Sequence, residues 1–135
     1  MDPRLIGYWS DQEIYPGSPE YTDLGFRADG SGWMYWASWS TEFVVHRFGW
    51  RVPAPGVLVV RRRLTIGGTW SVDGPGVTHR PESREEADTV VELGWAVQPG
   101  PELILDRPLD DLLGGTRFRS VDEGGTDPTT AGPLP

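Results

Sequence analysis

Turn-forming residues interrupt this chain roughly every 8–12 residues, the spacing of a sheet made of short antiparallel strands. Asp29-Gly30-Ser31-Gly32, Pro53-Ala54-Pro55-Gly56 and Pro99-Gly100-Pro101 are the clearest breaks, and the glycines at 67, 68, 74 and 76 read the same way. No interval between them holds a convincing long helix. One run tempts toward a helix, because Trp33, Trp36 and Trp39 recur every third residue. It follows a hairpin turn signal, however, and runs on into Phe43-Val44-Val45, residues of high strand propensity.

The turns divide the chain into eight expected strands: residues 5–11, 23–28, 33–40, 43–52, 57–66, 89–98, 102–106 and 116–121. Most links are short, which favours antiparallel neighbours. Two are long, 67–88 and 107–115, and residues 109–113 fit a single helical turn. An internal repeat supports the scheme. Phe48-Gly49-Trp50-Arg51-Val52 is similar to Leu93-Gly94-Trp95-Ala96-Val97, and Leu58-Val59-Val60 is similar to Leu103-Ile104-Leu105, both at an offset of 45 residues. Each copy is a strand pair joined by a Pro/Gly turn.

Side chains alternate along a strand, so each strand sorts its residues onto two faces. The inner face takes Val44, His46, Phe48, Trp50 and Val52, then Leu58, Val60, Arg62, Leu64 and Ile66, with Arg61 and Arg63 pointing out. It continues with Val91, Leu93, Trp95 and Val97, Leu103 and Leu105, Leu24, Phe26 and Ala28, and Phe118. The third strand is apolar on both faces, with Met34 and Trp36 on one and Trp33, Tyr35, Ala37 and Trp39 on the other. Either both faces are covered or one is an exposed aromatic patch that marks a contact surface. The expected fold is all-β, an eight-stranded antiparallel up-and-down barrel, with a β-sandwich as the runner-up.

At this length one domain is expected over residues 1–121, able to bury roughly two thirds of its surface. Residues 67–88 are expected to be a long loop, a lid if Trp70 anchors it over a barrel mouth. Residues 122–135, rich in Gly, Thr and Pro, are expected to be a disordered tail. The absence of cysteine excludes disulfides, thiolate metal sites and cysteine nucleophiles. The net charge is −8, all of it from residues 67–135, and no basic stripe recommends a nucleic-acid partner. No signal sequence or membrane span is evident, so a cytoplasmic, membrane-free protein is expected.

With its strand order and Gly7-Tyr8-Trp9 in the first strand, the chain resembles the small lipocalin-like (calycin) barrels over residues 4–122. The resemblance implies that Trp9 closes one end of the barrel and that an arginine of the last strand, Arg117 or Arg119, lies across it. It also implies that a small apolar molecule binds inside.

Among candidate site residues, His46 on an apolar inner face suits either a general base or a core histidine with one partner. Arg62, also inward, requires a partner, from Glu42 or from a ligand carboxylate, unless a twist carries it to solvent. These two with Tyr35 form the candidate catalytic set. Met34, Trp36, Phe48, Trp50, Phe26, Trp95, Leu64 and Phe118 form the candidate ligand wall, though aromatics fill ordinary cores equally well. His79 with Glu82, Glu85 and Glu86 is more simply a solvated loop than a weak cation site. No cofactor motif is present. Three readings follow: a binding barrel for a small, largely apolar molecule; a cyclase or isomerase of natural-product metabolism; and an inhibitor- or immunity-type interaction module. The last predicts exposed Trp33 and Trp39 and permits a homodimer through the third strand.

Overall fold

The computed structural model describes residues 2–12, 14, 16–110 and 113–121. Eight strands follow in order: β1 (Gly7–Ser10), β2 (Glu20–Phe26), β3 (Ser31–Ser38), β4 (Glu42–Ala54), β5 (Val57–Asp73), β6 (Gly76–Gln98), β7 (Glu102–Leu105) and β8 (Arg117–Val121). Each pairs antiparallel with its neighbour, and β1 closes the ring against β8 through Tyr8↔Val121, Trp9↔Ser120 and Ser10↔Arg119. The expected up-and-down barrel is therefore present. The expected tail, 122–135, lies outside the described residues.

The repeat has a structural counterpart. The amide of Trp50 donates to the carbonyl of Gly30 (2.9 Å), and that of Trp95 donates to the carbonyl of Gly56 (3.1 Å). Both acceptors are turn glycines in the left-handed region, with φ of 87° and 74°. Each copy thus hangs its tryptophan on the turn of the preceding hairpin.

The residues expected to form a long loop, 67–88, are strand. β5 and β6 run on beyond the barrel wall as a two-stranded ribbon that turns at Gly74-Pro75, with Asp73 opposite Gly76. The expectation failed because much of the ribbon meets water on both faces. Its residues carry no apolar alternation to betray a strand, while Gly74-Pro75-Gly76 and the paired Val72 and Val77 supply turn and strand chemistry. Pro81 and the charges at Arg80, Glu82, Arg84, Glu85 and Glu86 suit a strand with an exposed edge.

A β-bulge at Arg63 changes the facing of β5. Phe48 pairs with Arg62 but Arg47 pairs with Leu64, so one residue is extra and the alternation inverts. Leu58, Val60 and Arg62 point inward as expected. Leu64 and Ile66 do not: they belong to a second buried cluster on the outside of the wall with Trp33, Tyr35, Ala37, Phe43 and Val45. Tyr8, Tyr21 and Trp70 of the ribbon pack on that cluster, and the Trp70 indole donates to the Ser38 carbonyl at 3.0 Å. Both faces of β3 are therefore covered. Trp33 is 1% exposed and lies across Gly25, where any Cβ would come within 2.6 Å of its ring. Trp39, at the β3–β4 turn, is 69% exposed. Among the described residues no helix is long and apolar enough to cross a membrane.

Candidate functional site

The barrel interior is apolar except at one end. Leu5, Trp9, Leu24, Phe26, Met34, Trp36, Phe48, Trp50, Leu58, Val60, Leu93, Trp95, Leu103, Leu105, Leu109 and Phe118 form its core. At the end where β3 and β4 meet Thr22 and Thr65, the alternation that buries Val44 and Phe48 also turns His46 inward, 5% exposed. The bulge then brings Thr65, rather than Leu64, to the same face. His46 Nδ1 and Thr65 Oγ1 are 2.8 Å apart, and His46 Nε2 lies 2.5 Å from Asp110 Oδ2. Burial lowers the His46 pKa, Asp110 opposes that and the Arg62 charge adds to it. The ring is then neutral near pH 7, with Nε2–H donating to the Asp110 carboxylate and Nδ1 accepting from the Thr65 hydroxyl.

Asp110 comes from the connection between β7 and β8, which crosses this end as a strap. Leu109 is buried in the interior core, and its carbonyl accepts a 3.4 Å hydrogen bond from Arg62. Leu113 packs on the same core. Gly114 stands beside Thr22 of β2, where a Cβ would lie 3.2 Å from the hydroxyl oxygen. Among the described residues, contacts of His46 with Asp110 and of Arg62 with the Leu109 carbonyl tie the strap to the β4–β5 side, and Gly114 brings it to the β2 side. Beneath it lies a cavity of about 10 Å³ lined by Met34, His46, Phe48, Val60, Arg62, Val91 and Leu109. That is room for about one water. The indole N–H groups of Trp36 and Trp95 are buried with no acceptor among the described residues.

The structure brings together His46 and Arg62 of the expected catalytic set, with Met34 and Phe48 of the expected wall. Trp36 occupies the next inward position on β3 after Met34. Phe26 and Trp50 lie inside as expected, in edge contact at 5.3 Å, and the Trp50 indole donates to the carbonyls of Arg27 and Ser31. Phe118 and Trp95 are also interior. Tyr35 is not: alternation places it in the outer cluster, its hydroxyl 2.6 Å from His79 Nε2, and burial first and the neighbouring Tyr21 next push its pKa far above the phenol range. Leu64 leaves the wall because of the bulge. Glu42 is exposed and pairs along the ladder with Thr69, so the partner of Arg62 is the Leu109 carbonyl instead.

His79 belongs to the ribbon rather than to a solvated loop, and its ring meets Phe43 edge-on at 5.0 Å. Among the described residues no group of three His, Asp or Glu is disposed to hold a metal.

Trp9 is interior, its indole donating to the Leu5 carbonyl at 3.0 Å. The arginine expected across it is elsewhere. Phe118 points inward, so Arg117 and Arg119 point out, and Arg117 pairs with Glu102. Arg4 instead lies 4.9 Å from the centre of the Trp95 ring. Sequence reasoning missed Asp110, Leu109 and Thr65. The signal for the strap was its apolar content: Leu109 and Leu113 do not suit a fully solvated link, and the Asp110-Asp111 pair is set between leucines. Leu109 and Asp110 lie in bends, and the remainder of the helical turn expected over 109–113 includes residues outside those described.

No protein-family description, no curated protein and no solved structure matches this chain.

Proposed function

We propose that this barrel binds a small, largely apolar molecule with at least one hydrogen-bond acceptor, at the His46–Arg62 end beneath the strap. The observation that carries the reading is where the interior polar groups end up. Arg62 and the Nε2 side of His46 reach the strap residues Leu109 and Asp110, while His46 Nδ1 meets Thr65 of β5. A strap held by a few polar contacts over an apolar interior can be displaced without unpairing the sheet. Displacing Leu109 adds its volume to the cavity and frees the guanidinium of Arg62 for an acceptor. The buried indole N–H of Trp36, which has no acceptor among the described residues, offers a second donor. The lipocalin-like resemblance implies the same ligand class.

The test is native mass spectrometry of the full chain with organic extraction of what travels with it, alongside titration of an apolar fluorophore followed by tryptophan quenching. A 1:1 adduct or saturable quenching that weakens in Arg62→Met supports the reading. Neither adduct nor saturable quenching, in the wild type and in Leu109→Ala alike, overturns it.

A cyclase or isomerase acting in the same space is the second reading, favoured by the His46–Asp110 pair. Both His46 nitrogens are engaged, so proton transfer to a substrate requires release of Thr65 or of the strap. An extracted compound that reappears chemically changed after incubation with wild type, but not with His46→Ala, distinguishes turnover from binding.

A further inference from the structure

The outside of the β4–β5 wall carries a different chemistry. Beyond the bulge, outward positions go to Gly49 and Arg51 on β4 and to Arg61 and Arg63 on β5. Two adjoining grooves, of about 180 and 290 Å³, meet there and share Gly30, Gly49 and Arg63 in their walls. Arg47 borders the first groove, and Arg51 and Arg61 border the second.

Two acids stand near these arginines, and both are occupied. Asp88 accepts two hydrogen bonds from Arg61, at 2.6 and 3.0 Å, and its pKa is lowered first by that contact and to a lesser extent by the charge of Arg63. Asp29 accepts from the amide and hydroxyl of Ser31, at 2.9 and 2.6 Å. Among the described residues Arg51 and Arg63 make no ion pair. In a chain of net charge −8, the groove walls are lined by Arg51, Arg61 and Arg63, with the buried Arg47 at one border, and by one acid, Asp29; of these Arg61 is paired with Asp88.

Gly49 keeps the junction of the grooves open. A Cβ there would stand 3.7 Å from Arg63 Nε and 3.7 Å from the Gly30 carbonyl, and its backbone is not in the left-handed region. Glycine is therefore not required by conformation or by crowding at this position. What it leaves is a floor without side chains between planar guanidinium groups, the shape that takes a tetrahedral oxyanion through paired N–H donors.

We propose that this groove is a binding site for a phosphate group, free or carried as a monoester on a small organic molecule, with Arg51 and Arg63 as its principal donors. The site is separate from the barrel interior, into which only Arg62 of the arginine triplet turns.

The test uses the full chain labelled with ¹⁵N, titrated at constant ionic strength with inorganic phosphate and, separately, with phenyl phosphate. The expected result is saturable shifts confined to the Gly30 and Gly49 amides and the Arg51 and Arg63 Nε–H signals. Affinity should fall about tenfold or more in Arg51→Gln and in Arg63→Gln. Gly49→Val keeps every arginine and suits a strand, and it should abolish binding by filling the groove. Tighter binding of phenyl phosphate identifies an organic monoester lying along both grooves, and equal affinity identifies the phosphate group alone. Shifts that grow linearly, that spread equally to Arg107 and Arg117, or that survive Gly49→Val overturn the proposal.

Discussion

Asp11 is a buried carboxyl at the strap end of the barrel. The amide of Thr22 donates to its Oδ1 at 2.7 Å, and the amide of Asp11 donates to the Thr22 carbonyl at 3.1 Å. Burial pushes its pKa from the ordinary 3.8 up to about 6, with the nearby charge of Asp23 adding to the rise and the Thr22 amide opposing it. Above about pH 6 the folded chain therefore holds a poorly solvated charge that the unfolded chain solvates freely. Between 3.8 and about 6 the folded state binds the proton and the unfolded state does not. Stability from this group is thus fully present below the unfolded pKa and is lost as pH rises through the folded one. A displacement of a little over two pH units corresponds to about 3 kcal/mol.

Asn at this position keeps an acceptor for the Thr22 amide and carries no charge. Asp11→Asn is therefore expected to gain up to about 3 kcal/mol near neutral pH and nothing in acid. Urea unfolding followed by tryptophan fluorescence, for wild type and variant from about pH 7.5 to about pH 4.5, gives a difference that should shrink steadily toward acid. Taking the difference removes the contributions of other groups, including buried Asp23, which has the same sign, and His46, whose lowered pKa has the opposite one. A difference that stays constant with pH would refute the reasoning.

Three further outcomes follow from the same geometry. Leu109→Ala should lose about 3 kcal/mol in urea unfolding and increase uptake of an apolar dye, because the strap leucine is part of the interior core; a loss below about 1 kcal/mol would show that the strap merely rests on the barrel end. Thr41 holds a β-branched side chain at φ 72°, so Thr41→Gly should raise stability by about 1 kcal/mol, read as an increase in Tm. Gly25→Ala should cost about 2 kcal/mol and change the near-ultraviolet circular dichroism, since the new methyl would meet the Trp33 ring; an unchanged spectrum would argue against that close approach.

The strand order, the number of strands and most of the inner face were legible in the residues alone. Regular turns and period-two alternation are local properties, and β4 obeys them from Val44 to Val52 without interruption. The repeat was legible for the same reason, with Trp50 and Trp95 falling on one face of equivalent hairpins. His46 and Arg62 could be singled out because a polar residue in an apolar alternation stands out wherever the strand ends up.

What only the tertiary structure decided depended on contacts distant in the chain. Nothing in Arg61-Arg62-Arg63 announces which residue bulges, yet that choice sends Leu64 and Ile66 outside, brings Thr65 to His46 and divides the three arginines between interior and groove. Tyr35 looked like a site residue until the ribbon set His79 against it. That ribbon was invisible to periodicity because a two-stranded extension with water on both faces needs no apolar stripe. Asp110 reaches His46 across 64 residues of sequence. Alternation reports which way a side chain points, but the partner it meets is fixed only when the sheet closes and the β7–β8 connection crosses its end.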